Sequence, residues 1–111
     1  MENNLEKALQ KIKMIETEDV IKSIHVVGTG KTQKLIFDAH GFTARKAKST
    51  INNLIALNKD GFTMEVIHGY NHGTVIKEIV NDTENNINKR VEKRKVFKHN
   101  PGVTRLEIVA V

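Results

Sequence analysis

The chain has no cysteine and no tryptophan, one proline (Pro101) and one tyrosine (Tyr70). Without thiols there is no disulfide framework, no thiolate zinc site and no cysteine nucleophile, and the composition fits a reducing compartment. Four phenylalanines supply the rest of the aromatic content, so the core has to be built mainly from aliphatic side chains. No apolar stretch approaches the about eighteen residues that a bilayer-spanning helix needs. The opening segment MENNLEKALQ has no apolar signal core. These absences together predict a cytoplasmic protein without membrane contact.

What is present is a basic chain of 111 residues, with 18 Lys and Arg against 13 Asp and Glu and a formal charge of +5. That length suits one domain, and 39% hydrophobic residues can fill one core. A basic surface attracts polyanions by long-range steering and by counterion release on contact, without selecting among them.

Leu5, Ala8, Leu9, Ile12 and Ile15 fall at helical spacing over 4–16, a flank that packs on the domain or pairs with another chain. Segments 20–27 and 33–39 read as extended chain around a gap at Gly28, Thr29, Gly30 and Lys31. In the second segment Leu35, Phe37 and Ala39 share one face, and Ile36, Asp38 and His40 the other. Thr43 caps a helix whose apolar stripe (Ala47, Ile51, Leu54, Ile55) points to an end at Gly61. A strand from Phe62 to Ile67 follows, then a second helix from Thr74 with Val75, Ile76, Ile79 and Val80 on one face. A polar stretch over 81–88 leads to a basic strand from Val91 to Phe97, a turn at Asn100, Pro101 and Gly102, and a closing strand from Arg105 to Val109. The pattern predicts an α/β fold of order βαβαββ over 28–111, preceded by an N-terminal helix and extension over 1–27, and a monomer unless the N-terminal helix associates.

The run from Gly28 to Thr32 imitates the end of a phosphate-binding loop, but His25 stands where that motif requires its first glycine. The residues that follow, Leu35, Ile36 and Phe37, read as strand, whereas such a loop must open a helix. Both departures argue against nucleotide binding there.

A better site follows from topology. In a βαβ unit the strands are parallel and finish at the same sheet edge. Asp38 and His40 lie at the end of one such strand, about 7 Å apart and on one face; His68 lies at the end of the next. Gly41 follows His40, Gly69 follows His68, and each corner leads into a helix start. Glycines and helix N-termini accept an anion closely, histidine exchanges protons near neutrality, and a carboxylate orients a histidine, positions water or holds a metal ion. Arg45 and Lys77, early in the two helices, add positive charge. These properties suit a phosphodiester.

His68 and His72 have the i, i+4 spacing of zinc ligands, but Gly69, Asn71 and Gly73 argue against the helix that spacing requires. A loosely held Mg or Mn ion on Asp38 remains open. Lys89, Arg90, Lys93, Arg94, Lys95, Lys98 and Arg105 accompany only Glu92 in the last basic segment. Lys93 and Lys95 face one way, with Arg94 and Lys98 opposite. Two readings stand side by side, an edge strand charged against aggregation and a sequence-indifferent track for phosphates.

Over about residues 35–111 these features resemble the Smr (small MutS-related) domain family. The family's first motif, a strand ending Asp-x-His-Gly, is matched by Asp38, Ala39, His40 and Gly41. Its second, His-Gly-x-Gly-x-Gly, is matched by His68, Gly69 and Gly73, with Asn71 in place of the middle glycine. The run from Asn100 to Thr104 before the last strand is similar to the family's close. The resemblance implies a sandwich like the C-terminal domain of translation initiation factor three, and DNA nicking or RNA cleavage. It assigns catalysis to Asp38, His40 and His68, and substrate contact to Gly41, Gly69, Tyr70, Asn71, His72 and Gly73. Thr74, the cap of the next helix, joins the nucleic-acid-binding set, and Tyr70, standing where the family commonly has a polar residue, suits stacking on an exposed base. A non-catalytic DNA-, RNA- or ribosome-binding module is the alternative.

Overall fold

The structure is a computed structural model and describes residues 4–69 and 75–111. Helix α1 (Asn4–Ile15) buries Leu5, Ala8 and Ile12, spaced to make one stripe. Ile15, assigned by spacing to the same stripe, closes the helix and is exposed. The next residue, Glu16, turns inward. Its carboxylate accepts hydrogen bonds from Lys46 Nζ at 2.9 Å and Asn53 Nδ2 at 3.1 Å. The Lys46 bond, outweighing the cost of burial, holds the Glu16 carboxyl below its ordinary value.

The extended chain expected from Val20 begins instead as helix α2 (Glu18–Lys22). Thr17 enters it in extended conformation, Glu18 and Asp19 complement the helix dipole in the first turn, and Val20 is buried beneath. Burial of one valine and a favourable first turn outweigh the β-preference of Val20 and Ile21. Strand β1 (Ile24–Val27) follows, then a 3₁₀ turn (Gly30–Thr32) and strand β2 (Lys34–Asp38). The backbone after Thr32 is therefore strand and not helix, as the phosphate-loop argument required.

Helix α3 (Ala44–Ala56), strand β3 (Phe62–Ile67), helix α4 (Val75–Asn81) and strands β4 (Val91–Phe97) and β5 (Asn100–Ile108) complete the chain. The five strands form one sheet in the order β1-β2-β3-β5-β4, in which β2 and β3 are parallel and every other pair antiparallel. Residues 24–27, placed by sequence in the extension, thus supply an edge strand, with Ile24 opposite Phe37 and Val27 opposite Lys34. Leu5, Ile12, Val20 and Ile24 join the same hydrophobic core as the later elements. A radius of gyration of 13.1 Å matches one compact α/β domain of this length.

Two boundaries differ from expectation. Helix α3 stops at Ala56, and Gly61 lies beyond it in the approach to β3, where an added Cβ would sit 3.0 Å from the Ile108 carbonyl oxygen. The glycine serves close contact with β5, not helix termination. The last hairpin turns at Lys98 and His99, with Phe97 paired to Asn100, so Pro101 and Gly102 belong to β5. Pro101 is tolerated there because it falls at the start of the strand, beside a register irregularity.

Alternation along the strands produces two unlike faces. Leu35, Phe37, Met64, Val66 and Leu106 are fully buried and meet Ala47, Ile51, Leu54 and Ile55 of α3. The opposite face presents Lys34, Ile36, Asp38, Glu65, Ile67 and Arg105, all partly exposed. Among the described residues no helix is long and apolar enough to cross a membrane.

Candidate functional site

Strand β2 ends at Asp38, and a tight turn closed by Phe42 N–H donating to the Ala39 carbonyl carries the chain to α3. Gly41 occupies that turn at φ +84°, a conformation that L side chains rarely adopt. Thr43 then caps α3, its hydroxyl oxygen accepting from Lys46 N–H at 3.1 Å. Strand β3 ends beside it. Asp38 pairs with Ile67, the Ala39 N–H donates to the Ile67 carbonyl at 2.8 Å, and the N–H groups of His68 and Gly69 both donate to the Gly102 carbonyl. A Cβ added to Gly69, itself at φ +74°, would lie 3.8 Å from His40 Cβ. The two histidine-glycine corners are side by side.

Their side chains diverge. Asp38 extends from the uncovered face, where its Oδ1 accepts from the His40 backbone N–H at 3.3 Å and meets His40 Nδ1. A carboxylate against Nδ1 places the ring proton there and leaves the Nε2 lone pair pointing away. The His40 side chain is 68% exposed, so that nitrogen is open to a ligand. The pair borders a hollow of about 370 Å³ shared with Asp19, Lys22, His25 and Ile36.

His68 has the opposite parity, in line with Met64 and Val66, and is only 6% exposed. Its Nδ1 donates to the Gly69 carbonyl at 2.9 Å, and its Nε2 accepts from the Thr104 hydroxyl at 2.8 Å. The Thr104 oxygen in turn accepts from Asn81 Nδ2 at 2.9 Å. Burial, reinforced by the positive charge of Lys77, pushes the imidazole below its ordinary value in spite of the Gly69 bond, so His68 is neutral at pH 7. Counting three titratable groups at one edge is correct for the backbone. For the side chains, Asp38 and His40 come together and His68 faces the helix layer. The reason is the period of two along a strand: His68 follows Ile67, the residue paired with Asp38, and so takes the other face.

The basic residues separate likewise. Arg45 is exposed in the first turn of α3, and Lys77 is half-buried on α4. Lys93 and Lys95 lie exposed on the uncovered face, opposite Glu107 and Arg105. Arg94 does not join them. On the helix side its Nε donates to the Val80 carbonyl at 2.7 Å near the end of α4, and a second nitrogen meets Asn86. An arginine capping the orphan carbonyls of a helix C-terminus is occupied by the fold. Tyr70, Asn71, His72, Gly73 and Thr74 lie outside the described residues.

Mg²⁺ and Mn²⁺ prefer several oxygen ligands. Among the described residues no cluster of three His, Asp or Glu side chains is placed to hold a metal ion, and Asp38 commits one oxygen to His40. Among the described residues the donor set therefore does not form a dedicated metal centre.

Asp19, Lys22 and His25 went unrecognised in the sequence because the segment that carries them reads as a flank. The alternation of Ile24 and Val26 with His25 and Val27 was the available signal. It becomes informative only once β1 is known to pair with β2, which sets His25 opposite Ile36 and in line with Asp38.

These features define an α/β domain with one helical layer, one uncovered sheet face and a carboxylate–imidazole pair at the end of its parallel strands. Comparison with family models, curated proteins and solved structures finds no match to this chain.

Proposed function

We propose that the chain is a nucleic-acid-processing domain of the Smr type, with a fold like the C-terminal domain of translation initiation factor three, and that the Asp38–His40 pair cleaves phosphodiester bonds in DNA or RNA. The observation that carries this reading is the contact of Asp38 Oδ1 with His40 Nδ1 at a glycine-bounded corner beside Gly69. Asp38 holds the imidazole so that His40 Nε2 takes a proton from attacking water. As the water oxygen bonds to phosphorus and the P–O bond to the leaving oxygen breaks, His40 returns a proton to that oxygen. Asp38 stabilises the transient imidazolium. His68 acts from behind, bracing the second corner through Thr104 and Gly102.

The test is incubation of the full chain with plasmid DNA and structured RNA, with and without Mg²⁺ or Mn²⁺. Asp38→Asn and His40→Gln should each lower cleavage about a hundredfold or more while leaving the unfolding midpoint nearly unchanged. Cleavage at equal rates by wild type and both variants overturns the assignment.

A second reading, a non-catalytic DNA-, RNA- or ribosome-binding module, is favoured by the inward turn of His68, which leaves two titratable groups at the corner instead of three. It requires salt-dependent binding that survives Asp38→Asn and falls when Lys93 and Lys95 are neutralised.

A further inference from the structure

Phe97 stands at the end of β4 on the uncovered face, next to the Lys98–His99 turn. It belongs neither to the hydrophobic core nor to the partly buried side chains packed around it. Its ring instead has Lys95 Nζ 5.4 Å and the Arg105 guanidinium 5.0 Å from its centroid. The ring borders a hollow of about 650 Å³ that Lys34, Lys98 and His99 also line. Among the described residues the only carboxylate there is Glu65, which accepts from Lys34 at 3.0 Å and from Arg105 at 2.9 Å. Burial raises the Glu65 carboxyl, but those bonds more than offset it and hold it below its ordinary value, so it stays charged and committed. Lys95 and Lys98 have no ion pair among the described residues.

We infer that this hollow binds one nucleotide of a single-stranded nucleic acid, with the base against Phe97 and the neighbouring phosphates on Lys95 and Lys98. A flat ring beside two lysines, Lys95 and Lys98, that no carboxylate among the described residues neutralises selects a ligand that is both aromatic and anionic. A base inside a duplex hides its faces, so an aromatic platform reads single strands. Lys95 leaves the ring for a phosphate as the base arrives, exchanging a weak exposed cation–π contact for a charge-assisted hydrogen bond. The inference takes the class of polymer from the proposed function, but the site is a separate one. Asp38 lies on the same face, three strands away across the sheet, a lateral spacing of about 14 Å. It is offset along the strands because it aligns with Val103 of β5 while Phe97 pairs with Asn100. A strand held at Phe97 therefore runs over β5 and β3 toward Asp38 and His40.

Fluorescence anisotropy of the full chain with labelled twelve-nucleotide oligo-dT and oligo-U, and with a twelve-base-pair duplex, tests this. Phe97→Leu should weaken single-strand binding about tenfold and duplex binding less than twofold, whereas Phe97→Tyr retains both. An oligonucleotide carrying 2-aminopurine should be quenched by wild type and by Phe97→Tyr but not by Phe97→Leu. Lys95→Ala should weaken single strands and flatten the salt dependence. Unchanged single-strand affinity in Phe97→Leu, or an equal loss for duplex, overturns the platform while leaving cleavage at Asp38 untouched. Stacking without any cleavage removes the nuclease and keeps the platform. A protein that binds no oligonucleotide removes both.

Discussion

Replacing Thr104 by valine deletes one hydroxyl from a buried polar chain and keeps the side-chain volume nearly constant. Thr104 is fully buried, donates to His68 Nε2 and accepts from Asn81 Nδ2. Asn81 retains its second bond, to the Lys77 carbonyl, so the principal casualty is His68, left with an unpartnered buried acceptor. Leaving one such group unsatisfied costs about 1–3 kcal/mol. With a urea slope of about 1–3 kcal/mol per molar for a domain of this size, the unfolding midpoint should fall by roughly 1 M. The pH dependence adds a second measurement. Because the folded His68 value lies below the ordinary 6.5, the unfolded chain takes up a proton first as the solution is acidified. The contribution of His68 to stability is therefore complete above pH 6.5, declines between 6.5 and its lowered folded value, and is level below that. His68→Gln should remove this segment from the stability profile. A midpoint shift equivalent to less than about 0.5 kcal/mol in Thr104→Val, the size typical of a surface change, would refute the buried chain. So would normal stability together with abolished cleavage, because His68 would then act on substrate directly.

Two further outcomes test how the layers are joined. Glu16→Gln removes the charge that Lys46 and Asn53 hold between the N-terminal segment and α3, and should cost about 1–2 kcal/mol in urea unfolding at pH 7. Since the Glu16 carboxyl is lowered in the folded state, its contribution is present above its ordinary value of 4.5 and is lost as pH falls through the folded value, so wild type and variant should converge in acid. Arg94→Ala should destabilise by about 1–3 kcal/mol by uncapping the Val80 carbonyl, while Lys93→Ala leaves stability within about 0.5 kcal/mol. Equal effects of these two substitutions on stability would show that Arg94 has no structural role.

The elements that could be read in the chain are those whose pattern is local. Thr43 caps α3 because a threonine hydroxyl accepts from an N–H three residues on, and the stripe from Ala47 to Ile55 needs only the helical period. The strand through Asp38, and the strand that ends at Ile67, follow from alternation and flanking glycines. Less legible were features with two local solutions. Val20 and Ile21 carry β-preference yet form helix, because burying Val20 in the shared core decides the matter. The last turn falls at Lys98 and His99, although Asn100, Pro101 and Gly102 are stronger turn formers, because Asn100 pairs with Phe97 of β4 and the Gly102 carbonyl accepts from the N–H groups of His68 and Gly69.

Sequence alone determined that the protein has an aliphatic core, a basic surface, and an Asp-x-His-Gly corner followed by a second His-Gly corner, since composition and short-range spacing carry that information. Tertiary structure alone decided which groups meet. Strand pairing brought the corners together and brought β1, with His25, to the site. The period of two then turned His68 to Thr104 and Asp38 to His40, and it left Phe97 among cations on the uncovered face while Arg94 went to cap a helix. Facing depends on register between strands distant in the chain, and the pairing energy that sets register is shared across the whole sheet.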